Sequence, residues 1–484
     1  MPERSPHTSF HDLPTKTVIA TLSGIVTALL MAALDQNIVG TAMPKVIADL
    51  HGFEHYSGVF TAYMIASTTA LPIVGKLSDF YGRKLFLLLG VAIFVIASVT
   101  CGFAQSMSQL IFFRALQGLG AGFTQAMAFT TIADLFPPAK RGKITGMMAS
   151  IFGIAGVLGP ALGGYLTDGP GWRYIFFVNI PIGALAFGIL FFFFPHIRKP
   201  RENKPIIDYA GAVTLIMAVV PLLLALSWGG RDYPWSSNLI ISLLAFGSLM
   251  FAVFLQTEFK AKEPILPLSI FKNRIVWTCL SCSAIVAIAM FGTVLFIPLF
   301  IQKVIGTNAT QGGAILMPLT LSSIGSSIIA GQIITRTGRY RWLGITGVSL
   351  TAISLFVLST MDEFTTSQIV IRNMILLGMG IGATLPTFNI AVQNAVEIHF
   401  LGAATATVQF MRSIGGSFGA AIFGSILANH YTPESSRIVL AHSLHDVFLT
   451  GSVIVLFGVI IAFLSKDIPL RRSNRQPVQK AESS

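Results

Sequence analysis

The chain has 484 residues, 53% of them hydrophobic and only 11% charged, with a mean hydropathy of +0.74. A soluble domain carries about 25% charged residues, so the polar surface here is too small to cover a globule, which argues against a soluble enzyme. The net charge of +12 lies in short clusters rather than one basic patch, which argues against a nucleic-acid partner.

The polar segment Met1–Lys16 reads as a cytosolic tail ahead of a retained helix, not as a cleaved signal peptide. Fourteen apolar runs follow, each near the length of about 20 residues that crosses a hydrocarbon core of about 30 Å. Six lie at about 17–39, 56–77, 85–104, 108–132, 144–166 and 174–195, and two more at about 209–229 and 238–256. The last six lie at about 276–302, 312–334, 342–361, 367–393, 401–428 and 447–465. Most links are short, so neighbouring helices run antiparallel.

With the N-terminus in the cytosol, the inner links and both tails hold 24 of the 32 Lys and Arg residues. That bias predicts an even number of spans in an inner or plasma membrane, with both termini inside. Weak duplication is also visible. Gly75-Lys-Leu-Ser-Asp-Phe-Tyr-Gly82-Arg83 returns as Gly331-Gln-Ile-Ile-Thr-Arg-Thr-Gly338-Arg339, an offset of 256. Gly118-Leu-Gly120-Ala-Gly122 returns as Gly378-Met-Gly380-Ile-Gly382, and Gly156–Gly164 as Gly416–Gly424, both at 260. Three matches in one order argue for duplicated six-helix halves, with helices seven and eight belonging to neither copy. The expected organisation is a tail (1–16), a six-helix bundle (17–195), a linker with two helices (196–274), a second bundle (275–466) and a tail (467–484). Parallel repeats around a central cavity are a transporter architecture.

Asp35 is the one acid well inside an apolar run, in Ala32-Ala-Leu-Asp35-Gln36-Asn37. An ionised carboxylate there is costly unless paired or protonated, so it is functional by default. Arg114, within Phe113-Arg114-Ala-Leu-Gln117-Gly118, is its natural partner, and counting about 1.5 Å per residue puts both about 6–9 Å from the outer ends of their runs. A carboxylate whose proton affinity swings as an arginine moves can load and release protons. A static ion pair is the plainer alternative.

The link Gly75-Lys-Leu-Ser-Asp79-Phe-Tyr-Gly82-Arg83-Lys84 is expected to turn tightly through its glycines. Asp79 can cap the next helix or pair with a base across the inner face, which would make the link a gate latch. Gly153, Gly156, Gly159-Pro160 and Gly163-Gly164 line one face of helix five, where small residues allow close packing and Pro160 bends the span. Such a face can rock between two states. Gln36, Tyr63 and Gln117 are candidate cavity residues.

Three patterns carry no chemistry. Gly118-x-Gly120-x-Gly122 has no preceding strand and is not a dinucleotide site. Cys279-x-x-Cys282 sits in an apolar helix and, with Cys101, forms neither a disulfide framework nor a metal site. Asn308-Ala-Thr310 is a sequon that matters only in a glycosylating host. No phosphate-binding Gly-x-x-x-x-Gly-Lys-Ser/Thr is present, so the energy source is read as a proton gradient, with no cofactor and no metal.

These residues resemble the major facilitator superfamily, specifically its fourteen-helix drug:proton antiporter branch (EmrB/QacA-like). Ala33–Pro44 resembles the branch's first-helix motif, 75–84 the superfamily's signature loop, Arg114–Gly122 the helix-four motif, and Gly159-Pro160 with Gly163-Gly164 the antiporter motif. Gly171–Pro181 and Glu263-Pro-Ile-Leu-Pro267 are also similar to that branch. The resemblance covers nearly the whole chain. It implies an all-α polytopic fold of two six-helix bundles in pseudo-twofold arrangement plus two central helices, and no enzyme activity. It implies export of small amphipathic organic compounds or drugs by alternating access, with protons entering, in a lipid-embedded monomer. Branch members often carry further intramembrane acids. Here Asp208, Glu397 and Asp446 lie near helix ends, which weighs against strongly cationic drugs and more than one proton per cycle. Alternatives are a dedicated exporter of one metabolite such as an antibiotic or siderophore, proton-coupled uptake, and a non-transporting sensor.

Overall fold

In hydrocarbon a backbone must satisfy its own hydrogen bonds, and this chain does so with helices: no strand occurs among the described residues. The computed structural model describes residues 14–50, 56–136, 138–195, 207–230, 232–306, 309–397, 400–430 and 437–470. Most of both tails, residues 196–206 of the linker and Asn308 lie outside them. The helices are α1 (Thr15–Leu50), α2 (Tyr56–Tyr81), α3 (Arg83–Gly102), α4 (Met107–Leu135), α5 (Pro138–Asp168), α6 (Tyr174–Phe193), α7 (Tyr209–Trp228) and α8 (Asn238–Lys260). Then come α9 (Arg274–Phe300), α10 (Ala309–Thr337), α11 (Arg341–Ser359), α12 (Ser367–Ala395), α13 (Leu401–His430) and α14 (Arg437–Leu464).

Thirteen of these are long and apolar enough to cross a membrane. The remaining one, α4, has 29 residues, and its apolar character is diluted by Arg114, Gln117 and a row of glycines and threonines that are mostly buried. Large apolar side chains such as Ile96, Phe192 and Leu456 point outward, while Asp35, Arg114 and Asn373 are buried. That inversion suits a lipid surround.

Helices α1–α6 form one bundle and α9–α14 the other. They meet where α5 packs on α10 and α2 on α13, the fifth helix of each half against the second of the other. The duplication extends to individual contacts. A Cβ on Gly118 would strike the backbone of Tyr63, and one on Gly378 the backbone of Leu319. Likewise Gly122 abuts Ser67, and Gly382 abuts Ser323. Between α2 and α3 stands Gly82 at φ 92°, and after α10 stands Gly338 at φ 71°. Both have a positive φ that glycine enters without strain, so each repeat turns on a glycine at the matching place. Helix α7 packs on α2 and α13, and α8 packs on α7, around an apolar cluster of Ile65, Leu215, Val219, Leu223, Phe254 and Phe410 along one edge of the seam between the halves.

Several helices outrun the apolar runs. α1 continues to Leu50, eleven residues past the predicted end at 39, held by Lys45 to Asp168 at 2.8 Å and by Asp49 to Trp172 at 2.9 Å and Arg173 at 2.7 Å. Asp35 therefore lies about 22 Å from the end of α1, and Arg114 about 10 Å from the start of α4. The equal depths expected from run ends are not seen in the helix ends, because α1 overshoots its neighbours.

Candidate functional site

Asp35 is fully buried where α1 passes α4 and α6. Arg114 and Gln117 are three residues apart on one face of α4, so both reach it. Arg114 Nη1 donates to Asp35 Oδ2 at 2.5 Å and Gln117 Nε2 to Asp35 Oδ1 at 2.8 Å. Asn179, at the break in α6, donates from Nδ2 to the same Oδ1 at 3.0 Å and to Ser98 Oγ at 2.9 Å. Gln117 Oε1 in turn accepts from Arg114 at 2.7 Å, and the Cys101 thiol lies 3.6 Å from it. The Tyr63 ring lies 4.3 Å from the Arg114 guanidinium carbon. Three donors converge on the Asp35 carboxylate while the Arg114 cation lies over an aromatic face, a cage preorganised around the charged pair.

Sequence reasoning brought Asp35 and Arg114 together, and the structure pairs them. Of the three cavity candidates, Gln117 and Tyr63 belong to this cage, and Gln36, exposed on α1, reaches toward the Tyr63 hydroxyl. Asn179 was missed: a neutral amide on another helix, 144 residues away, gives no signal in a search for charge.

A second charged cluster closes the end of the bundle where α1 begins and α14 ends. Arg83, first residue of α3, pairs with Asp79 in the last turn of α2 and with Asp134 at the end of α4, the latter at 2.8 Å, and also donates to Ser78. Both oxygens of Asp79 sit against the first turn of α13: a Cβ on Gly402 would lie 2.6 and 2.8 Å from them. A carboxylate at a helix N-terminus is stabilised by the exposed N–H groups and the macrodipole. Asp79 thus joins the halves rather than capping α3. On the same end Gly75 packs against Ala406 and Gly402. Arg141 of α5 spans the other side of the seam, donating to Ala133 O at 2.5 Å and to Gln393 of α12 at 3.1 Å. Lys76 binds Glu263 at 2.8 Å, tying α2 to the segment after α8, while Lys84 caps the end of α6 through Phe191 O and Phe194 O, both at 2.7 Å. Asp134, Ser78 and Arg141 were not singled out from the sequence.

The glycine face of α5 is divided between two neighbours. Gly159 abuts Asn37, and Gly163 abuts Thr41 and Ile38, all on α1 of the same half. Only Gly153 crosses to the other half, meeting Ile324 and Thr320 of α10. Gly156 and Gly164 have open space at their Cβ positions, and the Pro160 side chain lies outside the described residues. Since Asn37 is two residues from Asp35, Gly159→Leu is expected to push α1 from α5 and disturb the carboxylate cage. Overpacking of this kind costs about 1–3 kcal/mol. The expected result is a folded protein of lowered thermal stability with transport reduced more than tenfold, roughly the effect of a comparable misplacement. Unchanged transport would separate this seam from Asp35.

Two helical bundles, a buried charged pair at the heart of one and a charged clasp across their seam describe a membrane carrier. The Major Facilitator Superfamily profile matches residues 25–420, and the chain belongs to that superfamily. It is therefore a multi-pass transporter and not an enzyme. It is 34% identical to Multidrug transporter protein MdtP of Bacillus subtilis, over 96% of each chain. It is 41% identical to Multidrug resistance protein 3 of the same organism, over 84% of this chain and 79% of the relative. Among solved structures it resembles the human organic anion transporter MFSD10, with a TM-score of 0.68 at 14% identity, covering 93% of this chain and 100% of the other. That likeness concerns the fold alone.

Proposed function

We propose that this protein exports amphipathic organic compounds from the cytosol across the cell membrane, driven by protons moving inward. The observation that carries the reading is Asp35, an acid buried in a span and caged by Arg114, Gln117 and Asn179. Transport by alternating access needs two halves that close at one end while opening at the other. Asp79, Arg83 and Asp134 serve as the clasp of the cytosolic end, which closes against α13 in the outward-open state. The basic residues clustered in that end's links and tails support an orientation with both termini in the cytosol. A proton arriving on Asp35 weakens its hold on Arg114, frees α4 relative to α1, and lets the halves rock. The export of drugs is supported by two relatives named for multidrug transport or resistance.

The test is efflux of a chemically varied dye and drug panel from a pump-deficient host, with and without an uncoupler. Efflux of several unrelated amphipathic compounds that collapses with the uncoupler is expected. Efflux of one compound only would make this a dedicated exporter, and efflux indifferent to the uncoupler would remove the proton from the mechanism.

A further inference from the structure

The two halves are not equivalent in charge. In the N-terminal half Gly159 of α5 abuts Asn37 of α1, and Gly419 of α13 abuts Ile288 of α9 in the same way. Two residues before Asn37 stands Asp35, and two before Ile288 stands Val286. Seven residues before Gly159 stands Phe152, and seven before Gly419 stands Arg412. The second half has therefore lost the acid and gained a base.

Arg412 lies about 16 Å along α13, near the middle of a hydrocarbon core about 30 Å thick. Among the described residues it forms no ion pair, and its hydrogen bond runs from Nη1 to Gln409 Oε1 at 3.1 Å. Arg412 lines a narrow cleft between α9, α12 and α13, walled by Ser283, Val286, Met290, Thr384, Phe388 and Asn389. In this conformation the cleft has room for about one water molecule. Two further polar atoms here are unpartnered: Gln409 Nε2, on a side chain 1% exposed, and Asn389 Oδ1, on one 2% exposed. An arginine held in a span without a carboxylate is costly, and guanidinium is built to grip planar or tetrahedral oxyanions.

We infer that Arg412 is an anion subsite in the C-terminal half, taking the sulfonate, carboxylate or phosphate group of an amphipathic substrate while Phe388 and Met290 flank its apolar part. Asn389 Oδ1 offers an acceptor for an N–H on the same molecule. This rests on the carrier reading above and names a substrate class for it: anionic and zwitterionic amphiphiles rather than cations.

The test compares two probes with one skeleton, 8-anilinonaphthalene-1-sulfonate and uncharged N-phenyl-1-naphthylamine, by equilibrium dialysis against the protein in phosphatidylcholine nanodiscs. Arg412→Gln is expected to weaken sulfonate binding about tenfold or more, as for loss of a charge-assisted hydrogen bond, and to leave the neutral amine within about twofold. Arg412→Lys should restore most of the difference. Should Arg412→Gln not fold, Val286→Asp gives an independent reading. It places a carboxylate on the wall that Arg412 faces and should abolish sulfonate selectivity while sparing the amine. Equal effects on both probes, or none on either, would overturn the subsite. Repeating the measurement with phosphatidylglycerol distinguishes the source of the anion: competition by that lipid would make the occupant a headgroup and refute a substrate site. Arg412-dependent binding without gradient-driven export would refute the exporter reading alone. Export without Arg412-dependent anion preference would refute this inference alone.

Discussion

Asp35→Asn is expected to abolish substrate-induced proton release, lowering it by at least about a hundredfold, the scale of losing a proton-transferring side chain. Substrate binding should survive within about tenfold, because asparagine keeps the shape of aspartate and can still accept from Gln117 and Asn179, its two neutral donors. The variant has a second effect that must be separated from the first. Arg114 is 1% exposed, and without Asp35 its charge has no anionic partner in the cage. Breaking one side of a buried pair costs roughly 3–5 kcal/mol, so a loss of thermal stability is expected too. Adding Arg114→Gln removes the stranded charge and should recover much of that stability, since replacing both partners is far milder than replacing one. Proton release should stay absent in the double variant. Titration of proton release in weakly buffered detergent solution, beside thermal melting, reads both quantities. Release at the wild-type level from folded Asp35→Asn would end the assignment and direct attention to Glu397 and Asp446.

The helical architecture was legible because its signals are long and redundant: apolar runs, charge bias at their ends and glycines repeated at one offset. The glycine repeats were informative for a physical reason. Gly118 and Gly378 sit where a second backbone leaves no room for a Cβ, so that interface in each half demands the same residue. What hydropathy could not supply was the polar extension of α1 from 40 to Leu50. That segment is held by Lys45 and Asp49 through partners more than 120 residues away. The helix-five glycines were incomplete in a related way. Their spacing gives the face, but not which neighbour lies against it, and α1 rather than the opposite half lies against Gly159.

At the site, charge within an apolar run was a sufficient signal for Asp35 and Arg114. Applied evenly, the same logic would have flagged Arg412, which lies within the run at 401–428 but was counted only as a base outside the inner links. Asp134 was lost to a boundary: ending the fourth run at 132 leaves it in a loop, whereas it is 7% exposed inside α4 and bound to Arg83. Asn179 and Ser98 lay beyond any such rule, because neutral polar residues in spans more often satisfy backbone than serve a carboxylate. Their part depends on α3 and α6 folding against α1.

Asp79→Asn is expected to leave the protein folded but open its clasp, whereas Arg83→Gln should damage folding itself. The difference follows from counting charge. Arg83, Asp79 and Asp134 have side chains 4%, 8% and 5% exposed, two acids around one base. Neutralising Asp79 leaves Arg83 matched by Asp134, a balanced buried pair. Neutralising Arg83 takes the shared cation from two buried carboxylates, at a cost of roughly 3–5 kcal/mol. Both oxygens of Asp79 also sit against the first turn of α13, a contact across the seam that opening of that end would break. Losing a carboxylate from a partly buried helix N-terminus removes about 1–2 kcal/mol, which shifts the closed-to-open ratio by roughly five- to thirtyfold. A reporter cysteine replacing Ala406, which packs on Gly75 at the seam, reads that ratio through its rate of maleimide labelling. The background would lack Cys101, Cys279 and Cys282. Labelling of Asp79→Asn should be faster by roughly that five- to thirtyfold factor, with turnover severely reduced, because a carrier that cannot hold one end shut cannot complete its cycle. Wild-type labelling together with wild-type efflux would remove Asp79 from the gate, leaving the Arg83–Asp134 pair as a purely structural tie between α3 and α4.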